Sequence, residues 1–212
     1  MLAGGLALTD DQRAELFAAA RPELLYGPDQ AHRQFVDSPP DDHVAAHRLA
    51  LAATPLIGRE REVADLVARI VDDGSRLITL TGPGGVGKTR LALEVAANTR
   101  VRSGHHVIFI PLATIIDPGL VAPIIGRSFG LSNSHVDALP ERLSIALADQ
   151  QQVLVLDNFE RLLSAAPLIA NLLLSCPSLK VLVTSRVVLR LSAEHEFAVS
   201  PLELPQRNAT SE

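Results

Sequence analysis

From residue 56 onward, short apolar runs alternate with longer segments of helical periodicity. Leu77–Thr81, Val107–Leu112, Val153–Leu156 and Leu179–Thr184 are dominated by Val, Ile and Leu without regular polar alternation. Runs of this kind predict strands buried on both faces. Phe197-Ala198-Val199 is a short fifth candidate. The intervals predict helices over 59–72, 88–102, 118–130, 138–150 and 159–175, the fourth opened by Asp137 as cap with Pro140 in its first turn. Alternation of strand and helix predicts an α/β fold, a three-layer sandwich around a mostly parallel five-stranded sheet.

The preceding stretch reads differently. Residues 9–21 pattern as one helix, with Thr9 or Asp10 as N-cap, acids in the first turn, Arg21 at the end and Pro22 stopping it. Pro28, Ser38-Pro39-Pro40, Asp41-Asp42 and Pro55 among small residues predict a linker carrying one short helix at 43–52. The expected organisation is an N-terminal helix in 1–26, a Pro-rich linker in 27–53, the α/β domain in 54–205 and a tail in 206–212.

The first predicted strand runs directly into Gly82-Pro83-Gly84-Gly85-Val86-Gly87-Lys88-Thr89, which fits G-x-x-x-x-G-K-[ST], the phosphate-binding loop of a P-loop NTPase. The glycines let the backbone wrap its N–H groups around a phosphate without a Cβ in the way. Lys88 supplies a point charge to the β- and γ-phosphates and the Thr89 hydroxyl is placed to ligate Mg²⁺. Leu91 and Val95 continue at helical spacing, so the loop opens onto a helix N-terminus, which favours an anion. The candidate nucleotide set is Gly82, Gly84, Gly85, Val86, Gly87, Lys88, Thr89 and Arg90, and the expected cofactors are ATP or ADP with Mg²⁺.

Two strand ends extend the set. Val153-Leu154-Val155-Leu156-Asp157-Asn158 places an acid where parallel sheets hold their ligands, so Asp157 joins Thr89 as the candidate metal pair. Asn158 can orient a water but cannot accept its proton, which predicts slow hydrolysis. Glu160 reads as a solvated charge in the first turn of the next helix, although it is near enough in sequence to substitute as an acid. Val183-Thr184-Ser185-Arg186 puts a guanidinium on the same rim, and a planar fork there can read a γ-phosphate. The candidate catalytic set is Lys88, Asp157, Asn158 and Arg186.

Composition narrows the class. The chain has 212 residues, 47% of them apolar, enough for one α/β domain with a large core. Its lone Cys176 excludes an internal disulfide and fits a buried inert thiol. No apolar run reaches membrane-spanning length, and the first residues lack the basic start of a signal peptide, so a cytoplasmic location is expected. A net charge of −5 offers no overall basic footprint for nucleic acid. His43 and His47 share a helical face, but Val44 stands where a zinc-peptidase motif needs Glu, and they read as part of a solvated linker helix. No chemistry is assigned to His105-His106.

Leu56-Ile57-Gly58-Arg59-Glu60, the loop at 82–89, Leu154-Val155-Leu156-Asp157-Asn158 and Val183-Thr184-Ser185-Arg186, in this order, resemble the NB-ARC-like nucleotide-binding domain of STAND signalling ATPases. Leu156-Asp157-Asn158-Phe159-Glu160 is similar to the form found in large bacterial transcriptional regulators. The resemblance implies that Ile57 and Arg59 lie beside the adenine and that the fourth strand sits between the first and the third. It also implies a nucleotide-dependent signalling switch with ATP-dependent self-association. Residues 6–21 look like the last helix of a lambda-repressor-type helix-turn-helix domain without its recognition helix, so this chain alone is not expected to bind DNA. The chain reads as a piece of a larger regulator, truncated at both ends and lacking the family's C-terminal lids. A phosphotransferase on the same fold and an inactive fragment stay open as alternatives. A partition-type ATPase needs a lysine where Pro83 stands.

Overall fold

The computed structural model describes residues 56–131, 138–148 and 151–202. The expected helix at 9–21, the linker, the capping role of Asp137 and the tail at 206–212 lie outside the described residues.

Helix α1 (Glu60–Val71) buries Val63, Leu66, Val67 and Ile70, spaced three and four apart, and carries Glu60 and Glu62 in its first turn with Arg69 in its last, as the helix dipole favours. Strand β1 (Leu77–Thr81) is buried throughout. Helix α2 (Lys88–Ser103) ends at Gly104, whose φ of 68° closes it in a left-handed C-cap. Strand β2 (His106–Pro111) follows, then a 3₁₀ turn at Pro118–Leu120 held by Asp117, whose carboxylate accepts from Gly119 N–H at 2.8 Å. Helices α3 (Val121–Ser128) and α4 (Leu139–Leu147) precede strand β3 (Gln152–Asp157), and α4 has Pro in its first turn as predicted. Helix α5 (Ala166–Ser175), strand β4 (Lys180–Thr184) and strand β5 (Glu194–Ala198) complete the described chain.

The five strands form one parallel sheet in the order β2-β3-β4-β1-β5, with β4 between β1 and β3 as the resemblance implied. Its two faces explain the unbroken apolar runs. Leu154, Leu156, Val181 and Val183 point into a core shared with α3, α4 and α5, whereas Val153, Val155 and Leu182 point into the opposite core built on α1 and α2. The central strands β3 and β4 therefore carry apolar side chains on both faces.

Two expectations need correction. The single helix predicted over 159–175 is two 3₁₀ turns, Phe159–Arg161 and Leu163–Ala165, followed by α5. Pro167 accounts for the late start, because proline is tolerated in a first turn but lacks the N–H that a helix interior requires. The helix predicted over 118–130 likewise divides into the turn at Pro118–Leu120 and α3.

Candidate functional site

Because all five strands are parallel, the ends of β1, β3 and β4 open on one rim, which is where parallel sheets place their ligands. The loop after β1 turns at Gly82, where φ is 146° and a Cβ would stand 2.8 Å from the Val199 carbonyl oxygen, so only glycine fits. Gly85 and Gly87 take φ of 78° and 97°, and a Cβ on either would meet nothing within 4 Å. The space beside the loop at these two positions is therefore open. Gly87 is the N-cap of α2, so no side chain caps that helix, and its first turn holds no acid. Uncapped N–H groups with the positive end of a helix dipole form an anion-binding surface.

Lys88 is buried, and its Nζ donates to the Gly82 and Pro83 carbonyl oxygens at 2.8 and 3.0 Å. Thr89 Oγ1 donates to Asp157 Oδ1 at 2.7 Å, bringing the start of α2 against the end of β3. The same oxygen accepts from Thr184 Oγ1 at 2.6 Å, and Thr184 in turn accepts from Asn158 N–H at 2.9 Å. Asp157 and Thr184 are both buried. The β3–β4 register places Leu156 opposite Val183, one residue short of this pair. Thr184 was absent from the candidates because no linear motif marks a strand-end threonine as the partner of an acid 27 residues away.

Arg186 and Glu160 are joined. Arg186 Nε lies 3.3 Å from Glu160 Oε1, and a guanidinium nitrogen lies 3.6 Å from the position of a Cβ on Gly84. Arg186 thus reaches over the phosphate loop. Glu160 was expected as a solvated charge, but its side chain is 19% exposed and its Oε2 is buried without a hydrogen-bond partner. Glu160 lies in the 3₁₀ turn at Phe159–Arg161 rather than in the first turn of an α-helix, and its carboxylate pairs with Arg186, two residues past β4. Asn158 adopts φ of 65°, a left-handed conformation that asparagine tolerates, and so turns the chain out of β3.

Arg59 has a role that the sequence did not disclose. Its guanidinium is buried, pairs with Glu62 at 3.1 Å and donates to the carbonyl oxygens of Val86 at 3.0 Å and Ser200 at 2.7 Å. It ties the entry to α1, the phosphate loop and the segment after β5 together. Its donors are directed at protein acceptors, so here it braces the segments around the loop. Ile57 is 78% exposed, and Val86 and Arg90 occupy the loop and the first turn of α2. Cys176 lies in the other core, its Sγ donating to the Ser144 carbonyl at 3.3 Å, and burial pushes its thiol pKa up.

The residues present fit a magnesium nucleotide. The open loop and uncapped helix suit phosphate, and one carboxylate with one hydroxyl suits Mg²⁺, which keeps waters and phosphate oxygens as further ligands. Among the described residues no group of three or more His, Cys, Asp or Glu side chains is placed to hold a metal unaided. No described helix is long and apolar enough to cross a membrane.

Residues 55–184 match the model of the AAA ATPase domain. The chain belongs to the AAA ATPase domain family. Within that match fall the phosphate loop, Asp157 and Thr184, while Arg186 lies just beyond it. A Mycobacterium tuberculosis protein named provisionally as an HTH-type transcriptional regulator is 37% identical over 131 residues, covering 61% of this chain and 15% of the relative. An uncharacterized protein of the same organism is 38% identical over 152 residues, covering 71% of this chain and 38% of the relative. The chain thus spans less than half the length of these relatives. Among solved structures, a STAND protein with a tetratricopeptide repeat sensor from Pyrococcus horikoshii is similar over 68% of this chain and 23% of its own, at 16% identity and a TM-score of 0.44. The HORMA:CdnC:Trip13 complex of E. coli MS115-1 contains a chain similar over 74% of this one and 67% of its own, at 16% identity and a TM-score of 0.44.

Proposed function

We propose that this AAA ATPase domain binds ATP and ADP with Mg²⁺ and serves as a nucleotide-dependent switch of the NB-ARC type in a transcriptional regulator, hydrolysing ATP slowly. The observation that carries the reading is the hydroxyl–carboxylate cluster of Thr89, Asp157 and Thr184, set beside an open glycine loop and an uncapped helix N-terminus. Thr89 and Asp157 would hold the metal, whose charge offsets that of the phosphates. Lys88 exchanges its two neutral carbonyl partners for anionic phosphate oxygens, so that both ends of each bond are charged. Arg186 reads the terminal phosphate from across the loop.

Slow turnover follows from the groups beside Asp157. Asn158, which follows Asp157 directly, has no basic atom to take a proton from an attacking water. The relatives' names support the regulator reading, and self-association on ATP is the proposed output. Binding to DNA is not proposed for this chain alone.

Turnover and retention test this. Incubated with Mg-ATP and then desalted, the protein is expected to keep bound nucleotide and to release phosphate far more slowly than the median enzyme turnover of about 10 per second. Rapid phosphate transfer that requires an added acceptor would instead identify a phosphotransferase.

A further inference from the structure

We infer that Glu160 is a latch for Arg186, setting the preference of the site for ATP over ADP by competing with the terminal phosphate for the guanidinium. The inference deepens the nucleotide-switch reading above and rests on it. Glu160 Oε1 holds Arg186 Nε at 3.3 Å, and the same guanidinium stands 3.6 Å from a Cβ built on Gly84, at the apex of the phosphate loop. One side chain therefore lies within reach of both an internal carboxylate and the place where phosphate would sit.

The two partners are unequally placed. Glu160 is 19% exposed and Arg186 65%, so the carboxylate is the enclosed partner and the guanidinium the solvent-accessible one. Glu160 Oε2 is buried with no partner, which leaves Arg186 as the carboxylate's main compensation. Taking the guanidinium away exposes that cost. A terminal phosphoryl group can meet it, because a planar fork binds phosphate bidentately and with full charge. ADP lacks that group and leaves Arg186 on Glu160. In this arrangement Glu160 is a positioning residue: it acts on the nucleotide through Arg186.

The experiment is a set of calorimetric titrations of the 212-residue protein with Mg-ADP and with the magnesium complex of β,γ-imido-ATP, which is not hydrolysed. Glu160→Gln keeps the shape and removes the charge. It is expected to raise affinity for the ATP analogue about three- to fivefold, the effect of losing an ion pair of this exposure, with ADP affinity unchanged. Arg186→Ala is expected to weaken the analogue alone, and adding Glu160→Gln to it should change nothing further, since the two residues act as one unit. Glu160→Asp, which shortens the carboxylate away from the guanidinium, should shift affinity in the same direction and carries the test if the glutamine variant does not fold. An unchanged or lower analogue affinity in the glutamate variants, or an equal shift for both nucleotides, overturns the latch while leaving the nucleotide site standing. If the wild-type protein bound neither nucleotide, the proposed function would fall and the latch with it.

Discussion

Asp157 concentrates the chemistry of the rim in one carboxylate. Its Oδ1 accepts from two hydroxyls, Thr89 at 2.7 Å and Thr184 at 2.6 Å, so its orientation is fixed from two elements before any ligand arrives. Thr184 is the pivot, since it also accepts from the N–H of Asn158 at 2.9 Å and so braces the left-handed turn that ends β3. Thr184→Val keeps the volume and removes both bonds. It is expected to lower unfolding stability by about 1–3 kcal/mol, the cost of leaving buried groups unsatisfied, and to weaken Mg-dependent nucleotide binding. Denaturant titration and calorimetry of the same variant check the two effects. At this scale the sequence disclosed Lys88, Thr89 and Asp157 because strand, loop and acid are contiguous patterns. It could not disclose Thr184 against Asp157 or Glu160 against Arg186, because each contact joins β4 to the end of β3 across 26 or more residues of chain.

At the scale of elements, the phosphate loop is held as much by its surroundings as by its glycines. Arg59 reaches the Val86 and Ser200 carbonyls, Val199 N–H donates to Thr81 oxygen at 2.8 Å, and Thr81 Oγ1 donates to Glu196 at 2.6 Å, so β5 and the segment after it form one wall of the loop. Gly82 is the contact point of that wall. Gly82→Ala would force a Cβ to 2.8 Å from a backbone oxygen at a φ of 146°, and nothing flexible is there to yield. The expected loss is about 2–3 kcal/mol or more, read from the shift in denaturant midpoint. An unchanged midpoint would show that β5 does not seat on the loop as described. The four apolar runs were legible as strands because each feeds two cores, as with Leu154 and Leu156 on one side and Val153 and Val155 on the other. Strand β5 was only partly legible, since Glu194, His195 and Glu196 lie on a sheet edge and carry no apolar signature. Phe159, Leu162, Ala166, Ile169 and Leu173 have helical spacing, which hid the two 3₁₀ turns before Pro167.

For the whole molecule, the family match spans the strands that carry the phosphate loop, Asp157 and Thr184, so the domain's architecture and its candidate site are one unit. Arg59, Arg186 and the wall formed by β5 bring in segments on either side of that unit's central motifs. The proposed switch would use this arrangement, in which groups on separate elements converge on one loop that a ligand would engage. The most direct measurement is calorimetric titration of the 212-residue protein and its Lys88→Ala variant with Mg-ATP and Mg-ADP. The account predicts micromolar binding by the wild type and its loss in the variant, with the unfolding midpoint little changed because, among the described residues, Lys88 Nζ bonds to loop carbonyls. Wild-type affinity retained in Lys88→Ala, or no binding by the wild type, would contradict it.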